Sequence, residues 1–406
     1  MTVKRTLVLC VAAVSVASIV SAQQLRFDDV VRNLRNPDPK TRSAAIRLLR
    51  DAKYPEAVAP VAPLVLDPID DIQLEAIAAE LSFFLEQDVK PKKMVGFVVE
   101  KRRSAVSAAA FDLGPLVVWP RAVPAELTSS LLQAVDDDNA KVRLEAIYAT
   151  GIIARAPLAD ADVQRLIKAL DHYDPAVRAA AARVAGRLKV KEAGDALIKA
   201  INDSQSEVRF AAMRALGAIR EPRAVAALTE QLAYYKKGEG AWSAVDALAQ
   251  IGSPASVPVL RERLQDKDPF VRRAAAEGLG RAGDTASLEV FEKTVTTDDS
   301  LMVRLAPAFA LQKLGRNYMA RIVDLMNGKT FAQGQEYLIE LGPQTVPTVV
   351  PRLQDPEPGL REALADVLGV IGNDTTVAAL EPVTKDRDAS VAAAAKRAIA
   401  RLQQIR

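Results

Sequence analysis

DHYDPAVRAAAARVAGRLKVKEAGDALIKAIND, residues 171–203, decides the fold, because most of the chain restates it. An Asp-Pro turn at Asp174 and Pro175 opens a helix, since proline at the first helical position gives up only a donor the helix cannot use. Val177, Ala180, Ala181, Val184 and Leu188 then fall on one face at helical spacing. A charged break, Lys189 to Glu192, ends this helix, and a second follows Gly194 with Leu197, Ala200 and Ile201 on its own apolar face. Neither helix hides its stripe alone, so the hairpin is built to be stacked.

Working outward, the Val-Arg pair and the glycine eight residues after the arginine recur together. Arg143 with Gly151, Arg178 with Gly186, Arg209 with Gly217, Arg272 with Gly280 and Arg361 with Gly369 keep that offset. The anchor position returns roughly every 31 residues, at Arg42, Gln73, Arg143, Arg178, Arg209, Ala241, Arg272, Arg304, Phe331, Arg361 and Ala392, with a blurred copy near Val106. An acid stands six residues before the anchor in most copies, at Asp67, Asp137, Asp203, Asp266, Asp298, Asp355 and Asp386. The stretches DPAVRAAAARVAGRL and KDPFVRRAAAEGLG resemble HEAT repeats, in the short bacterial form of the phycobilin lyases. The resemblance covers nearly everything after the first 22 residues and implies an all-α superhelix, a HEAT/armadillo-like solenoid of about twelve helical hairpins.

Residues 1–22 read as a secretory signal: Lys4 and Arg5, an apolar run from Leu7 to Val20, then small residues before a cut after Ala22. The run carries Ser15 and Ser18 and is short of the ~20 apolar residues that span a bilayer, so an exported, periplasmic or secreted protein without a stable membrane span is expected. Cys10, the only cysteine, lies in that leader. Residues 23–406 form the array, less regular at 88–124, 232–252 and 316–345. The first copy is polar at its start and the last, replacing arginine by Ala392, ends in a basic amphipathic helix; both suit capping repeats. Pro55, Pro60 and Pro63 predict a helix entered late or kinked. Phe83, Phe84 and Phe97 read as core, and Trp119, in LGPLVVWPR, as a plug or an exposed contact.

Charge excludes some functions. Lysine and arginine total 54 against 51 acids, and two of the bases lie in the leader, so no global field favours nucleic acid or an acidic membrane. The local run Lys90, Lys92, Lys93, Lys101, Arg102 and Arg103 reads as a solvated helix face. A hydrolase or transferase needs a nucleophile with a base beside it, and the mature chain offers no cysteine and one histidine, His172, in a turn slot. Zinc and iron sites draw on several His or Cys ligands. No catalytic residue, metal site or cofactor is therefore assigned; iron-dependent hydroxylases of similar repeats carry paired His-Glu motifs that this sequence lacks. GKTFAQGQEYLIELG carries Gly328-Lys329-Thr330 without the spacing or strand of a phosphate loop.

Two sets of residues remain. Asp137, Arg143, Arg178, Asp203, Arg209, Asp266, Arg272, Asp298, Arg304, Asp355 and Arg361 read as a structural ladder, each Asp bonding turn amides and facing the Arg of its own or a neighbouring repeat. In LAYYKKGEGAWSAVDALAQIG the Asp and Val-Arg marks vanish, and Gly238, Glu239 and Gly240 read as a flexible joint. Tyr234, Tyr235, Lys236, Lys237 and Trp242 gather there, residue types enriched where proteins bind one another. The second helices are expected to line a concave groove, with Lys168, Lys199, Glu230, Arg261, Arg263, Glu289 and Lys293 interspersed, a mixed lining that suits a protein partner. The reading is a non-catalytic interaction scaffold; a lyase-like enzyme or enzyme chaperone, and a self-associating envelope protein, are the alternatives.

Overall fold

The computed structural model describes residues 27–85 and 106–404. The leader, the basic run from Lys90 to Arg103 and Phe97 lie outside the described residues. Among those described there is no strand; helices and single 3-10 turns follow one another throughout. The described residues gather into two compact bodies, one of residues 27–85, 106–110 and 123–153, the other of residues 111–122 and 154–404.

In the first body the hairpin logic begins at Asp38, whose carboxylate caps the helix Pro39–Asp51 by accepting from the amides of Lys40 and Thr41. The proline-rich stretch is broken as the prolines dictate, into the 3-10 turn Pro55–Ala57, the short helix Val58–Val61 and the 3-10 run Ala62–Leu66. Phe83 and Phe84 are buried. The next helix, Asp70–Phe84, buries Glu80 completely, with neither carboxylate oxygen hydrogen-bonded. Burial alone holds the Glu80 carboxyl well above its ordinary range. The folded chain then keeps a proton the unfolded chain releases, so this group's contribution is intact below about pH 4.5 and is lost as pH rises through the folded value. Glu80→Leu should therefore stabilise the first body at pH 8 by about 1–3 kcal/mol, and by less at pH 4. Urea unfolding at the two pH values reads this directly.

The second body stacks helices that carry the anchor positions, among them Pro175–Arg187, Ser206–Ala218, Gly238–Ile251, Pro269–Arg281, Leu301–Lys313, Phe331–Leu341, Pro358–Ile371 and Ala389–Gln404. Each of the first seven is followed by a shorter helix, such as Gly194–Ala200 or Val225–Tyr234. The chain reverses eleven residues after the anchor, where the backbone turns left-handed at Lys189 (φ 53°), Arg220 (φ 54°) and Gly283 (φ 77°).

The recurring glycine sets the packing. A Cβ on Gly186 would come within 2.9 Å of the Cα of Ala215, and the same holds for Gly217 against Ala247 (2.8 Å), Gly280 against Ala310 (2.6 Å) and Gly369 against Ala398 (2.6 Å). Backbone meets backbone there, so neighbouring anchor helices lie closer than ordinary side chains permit. The shorter helices pack on the anchor helices and touch one another little. In a curved stack the closely spaced layer is the inner one. The expected concave groove of second helices is thus corrected: within this body the anchor helices form the inner layer, and Lys168, Lys199, Glu230, Arg261, Glu289 and Lys293 stand exposed on the outer helices. The cause is residue size, since alanine and glycine crowd the anchor helices while the shorter helices carry bulkier side chains.

The curl is tight enough for the inner layer to meet itself. Arg281 bonds Glu340 across an intervening repeat at 3.0 Å, and Arg220 reaches the same carboxylate at 3.4 Å.

Candidate functional site

The Asp and Arg rows form links between successive turns. Arg178 donates Nε and Nη2 to the two carboxylate oxygens of Asp203 at 2.8 and 3.0 Å, while its Nη1 bonds the carbonyls of His172 and Tyr173 in its own turn. Arg42 with Asp67, Arg272 with Asp298 and Arg361 with Asp386 repeat this geometry. The acceptor also stops its own turn: Asp203 takes the amide of Gln205, and Asp298 that of Ser300. Burial raises the Asp203 and Asp298 carboxyls, but the arginine and the turn amide outweigh it, leaving both below the usual range. One arginine thereby pins two turns and fixes the rotation between neighbouring repeats.

Where the pattern lapses, other groups fill the slots. Gln73 serves for arginine by donating Nε2 to Asp137 at 2.9 Å. Arg143 bonds the carbonyls of Asp137 and Asp138 in its own turn, and Arg304 donates Nε to the carbonyl of Asp298. Asp266 and Asp355 follow anchors that are not arginine, and are met instead by Arg263 and Arg352 three residues earlier. His172 acts as a turn residue, its Nδ1 accepting the amide of Asp174 at 3.0 Å.

The joint keeps the ladder with different chemistry. Tyr235 stands six residues before Ala241, in the acid's slot, and its hydroxyl accepts Arg209 Nε at 2.6 Å. Arg209 otherwise bonds its own turn carbonyls, Asp203 and Ser204, so the carboxylate expected opposite it is a phenol. One residue past the missing arginine, Trp242 donates its indole N–H to Asp268 at 2.6 Å, crossing to the next turn. Gly238 and Gly240 begin the helix Gly238–Ile251, so the expected flexible joint is corrected to ordered helix. A Cβ on Gly240 would collide with the Tyr235 ring, so here glycine supplies room for an aromatic side chain. Tyr235→Phe should leave Arg209 Nε without its tyrosine acceptor and cost about 1–2 kcal/mol, with helical content unchanged; urea midpoints check it.

These substitutions bring rings to the surface. Tyr235 packs edge-on against Phe210 (5.3 Å between centroids) and Tyr234 (4.9 Å), and Trp242 lies over Phe270 at 4.9 Å. Tyr234 is 77% exposed, Phe270 43% and Trp242 37%. Lys236 and Lys237 are exposed beside them. All stand at or before the N-terminal turns of three successive anchor helices, and together they form a ledge of aromatic faces with a cationic border. In the sequence Phe210 and Phe270 sit inside regular repeats, which conceals their part in it.

The inner face carries a second polar assembly, which the repeat pattern did not announce. Glu277, nearly fully buried, accepts from Arg273 at 2.9 Å and from the Tyr337 hydroxyl, and pairs with Arg281 at 3.4 Å. Arg273 also holds Asp246 at 2.8 Å, and Lys313 holds Glu340 at 3.4 Å. Glu336 opens to solvent but is crowded enough that desolvation, aided by Glu277 and Asp246, pushes its carboxyl up to about 7. Asp366 is buried beside Arg397 (3.3 Å) and Arg401 (3.6 Å), and burial raises it to about 6 despite them. The signal was a charge inside an apolar run, as in AAAEGLG and ALADVLG. Acids and bases are matched here, so the assembly braces the curl. Among the described residues no cluster of His, Cys, Asp and Glu is placed to hold a metal ion, and no helix is long and apolar enough to cross a membrane.

The sequence profile of HEAT repeats matches residues 163–239 and 235–312. No curated protein matches the chain. Among solved structures the chain is similar to an engineered protein, 20% identical over 93% of this chain and 98% of that one, with a TM-score of 0.43. It is similar to the complex of CpcE and CpcF of phycocyanin lyase from Nostoc, at 21% identity over 60% and 92% with a TM-score of 0.37. Human deoxyhypusine hydroxylase is 18% identical over 69% and 97%, with a TM-score of 0.29. These are likenesses of fold alone. With the hairpins, the links and the profile in agreement, residues 163–312 are HEAT repeats.

Proposed function

We propose that the chain is a non-catalytic interaction scaffold of the exported space, and that it docks a protein partner on the aromatic ledge. A solenoid of HEAT repeats is suited to protein interaction, because stacking gives a long surface that needs no pocket. The observation that carries the reading is the exposure of Tyr234, Trp242 and Phe270 in a chain with only 5% aromatic residues. Clustered tyrosine and tryptophan faces anchor interfaces, and Lys236 and Lys237 favour a partner segment that flanks its apolar side chains with carboxylates. Tyr235 and Trp242 use their polar atoms to hold the array and leave ring surface for the partner.

The test separates binding from folding. Mature protein is used to capture its partner from the exported fraction, and affinity is measured for Tyr234→Ala and Phe270→Ala, whose side chains make no hydrogen bond in the ladder. Each should weaken binding by roughly thirtyfold, about 2 kcal/mol, with an unchanged melt. Unchanged affinity in both variants would remove the ledge. Capture of the chain by itself alone would favour self-association. Export rests on the leader, and the intact mass of the native protein checks it: a mass beginning at Gln23 is expected, and one beginning at Met1 counts against it.

A further inference from the structure

One part of the inner face of the second body is covered by the chain itself. Residues 111–122 belong to that body although they interrupt the first in sequence. They lie against two anchor helices far apart in sequence, Pro175–Arg187 and Ala389–Gln404. At one end Arg187 stands over the Phe111 ring at 4.0 Å and Arg183 at 4.9 Å; Arg187 donates to the Phe111 carbonyl at 3.0 Å and Arg183 pairs with Asp112. At the other end Arg401 donates Nη2 to the carbonyls of Leu116 and Val118, the latter at 3.1 Å, and lies 3.4 Å from that of Pro115. Gln404 Nε2 donates to the carbonyl of Pro120. Arg183, Arg187 and Arg401 stand five or nine residues after their anchors, the positions that elsewhere carry Glu277, Arg281 and Glu340.

This is how a peptide is held. Most of the polar contacts described are side-chain donors on main-chain carbonyls; those of Phe111 and Pro115 also accept an amide of their own segment, while those of Leu116, Val118 and Pro120 are met by Arg401 and Gln404. Pro115 and Pro120 lack an N–H, and Gly114 has φ +87°, so most of the segment stays out of regular structure. Within 111–122 only Phe111 and Val118 are buried, and Leu113 is 55% exposed. Side chains are read at Phe111, Val118 and Asp112, and backbone at much of the rest. Arg401 Nη1 faces the buried Asp366 carboxylate at 3.6 Å, which holds the guanidinium while Nη2 serves the segment.

We propose that the inner surface from Arg187 to Arg401 is a binding site for an extended, apolar, proline-containing segment of another protein, and that residues 111–122 are its occupant in cis. A partner must displace them, so its apparent affinity is reduced by the fraction of molecules in which the site is open. The site is separate from the aromatic ledge and stands on its own contacts. Its failure would leave the ledge untouched.

The probe is a labelled synthetic peptide, FDLGPLVVWPRA, of residues 111–122. The full chain and a variant with residues 113–120 replaced by glycine and serine are titrated with it. The variant should bind at least tenfold more tightly than the parent, and Arg401→Ala added to it should weaken binding at least tenfold with an unchanged circular dichroism spectrum. A folded variant that ignores the peptide, or binding indifferent to Arg401, overturns the proposal. If the variant does not fold, hydrogen exchange in the intact chain decides: excess peptide should speed exchange of residues 113–120 about tenfold, and no change overturns the site.

Discussion

Arg361→Ala should be among the most damaging single substitutions in the array, costing about 3–5 kcal/mol. Arg361 is buried, and it donates Nε and Nη2 to Asp386 at 2.9 and 2.8 Å and Nη1 to the carbonyls of Asp355 and Pro356 at 2.8 and 3.2 Å. Truncation removes all four bonds and strands a carboxylate that Arg361 holds below its usual range. Arg361→Lys should recover only part of the loss, because one ammonium cannot serve the Asp386 fork and the two carbonyls together. Asp386→Ala on the alanine background should recover some stability by removing the stranded charge. Urea unfolding of the four proteins checks the set. A loss in Arg361→Ala below about 1 kcal/mol, the range of an exposed ion pair, would refute the structural weight given to the link.

Gly280→Val should cost about 3 kcal/mol or more, at the upper end for overpacked cores. Its Cβ would sit 2.6 Å from the Cα of Ala310 and 2.7 Å from its Cβ. Both are parts of a neighbouring helix rather than a side chain able to swing away, so two helices must part along their length. Gly328→Ala is the matched control, with nothing within 4 Å of the added atom, and should stay within about 0.5 kcal/mol of the parent. Thermal melts of both decide whether the repeated glycine is a packing device.

The fold was legible because its marks are local. The caps at Asp174 and Asp268, the glycine eight residues past the anchor and the acid six before it all act within one hairpin or between neighbours. What could not be read was which layer faces inward. An amphipathic stripe shows that a helix is buried, not which side of a curved stack it takes, and only the Gly-Ala contacts decide that. Tyr235 and Trp242 escaped for another reason: they do the work of Asp and Arg with side chains of different length and charge, so a search by residue type sees a break where the bonding continues. The packing of residues 111–122 against Arg401 joins distant parts of the chain, beyond any periodic reading.

The repeat around Phe331 bears on how the second body assembles. It has Leu325 in place of the acid and phenylalanine in place of the arginine, so it lacks both halves of the link that ties other repeats to their neighbours. Its helix instead supplies Tyr337 and Glu340, which reach back to Glu277, Arg281 and Arg220. A solenoid with nearest-neighbour contacts can nucleate anywhere and grow either way. This repeat gains much of its hold only after residues 209–281 have stacked, which raises the contact order and gives assembly a direction. A chain truncated before Arg316 should then keep a cooperative transition, whereas residues 316–404 alone would lack the surface against which their first hairpin is set.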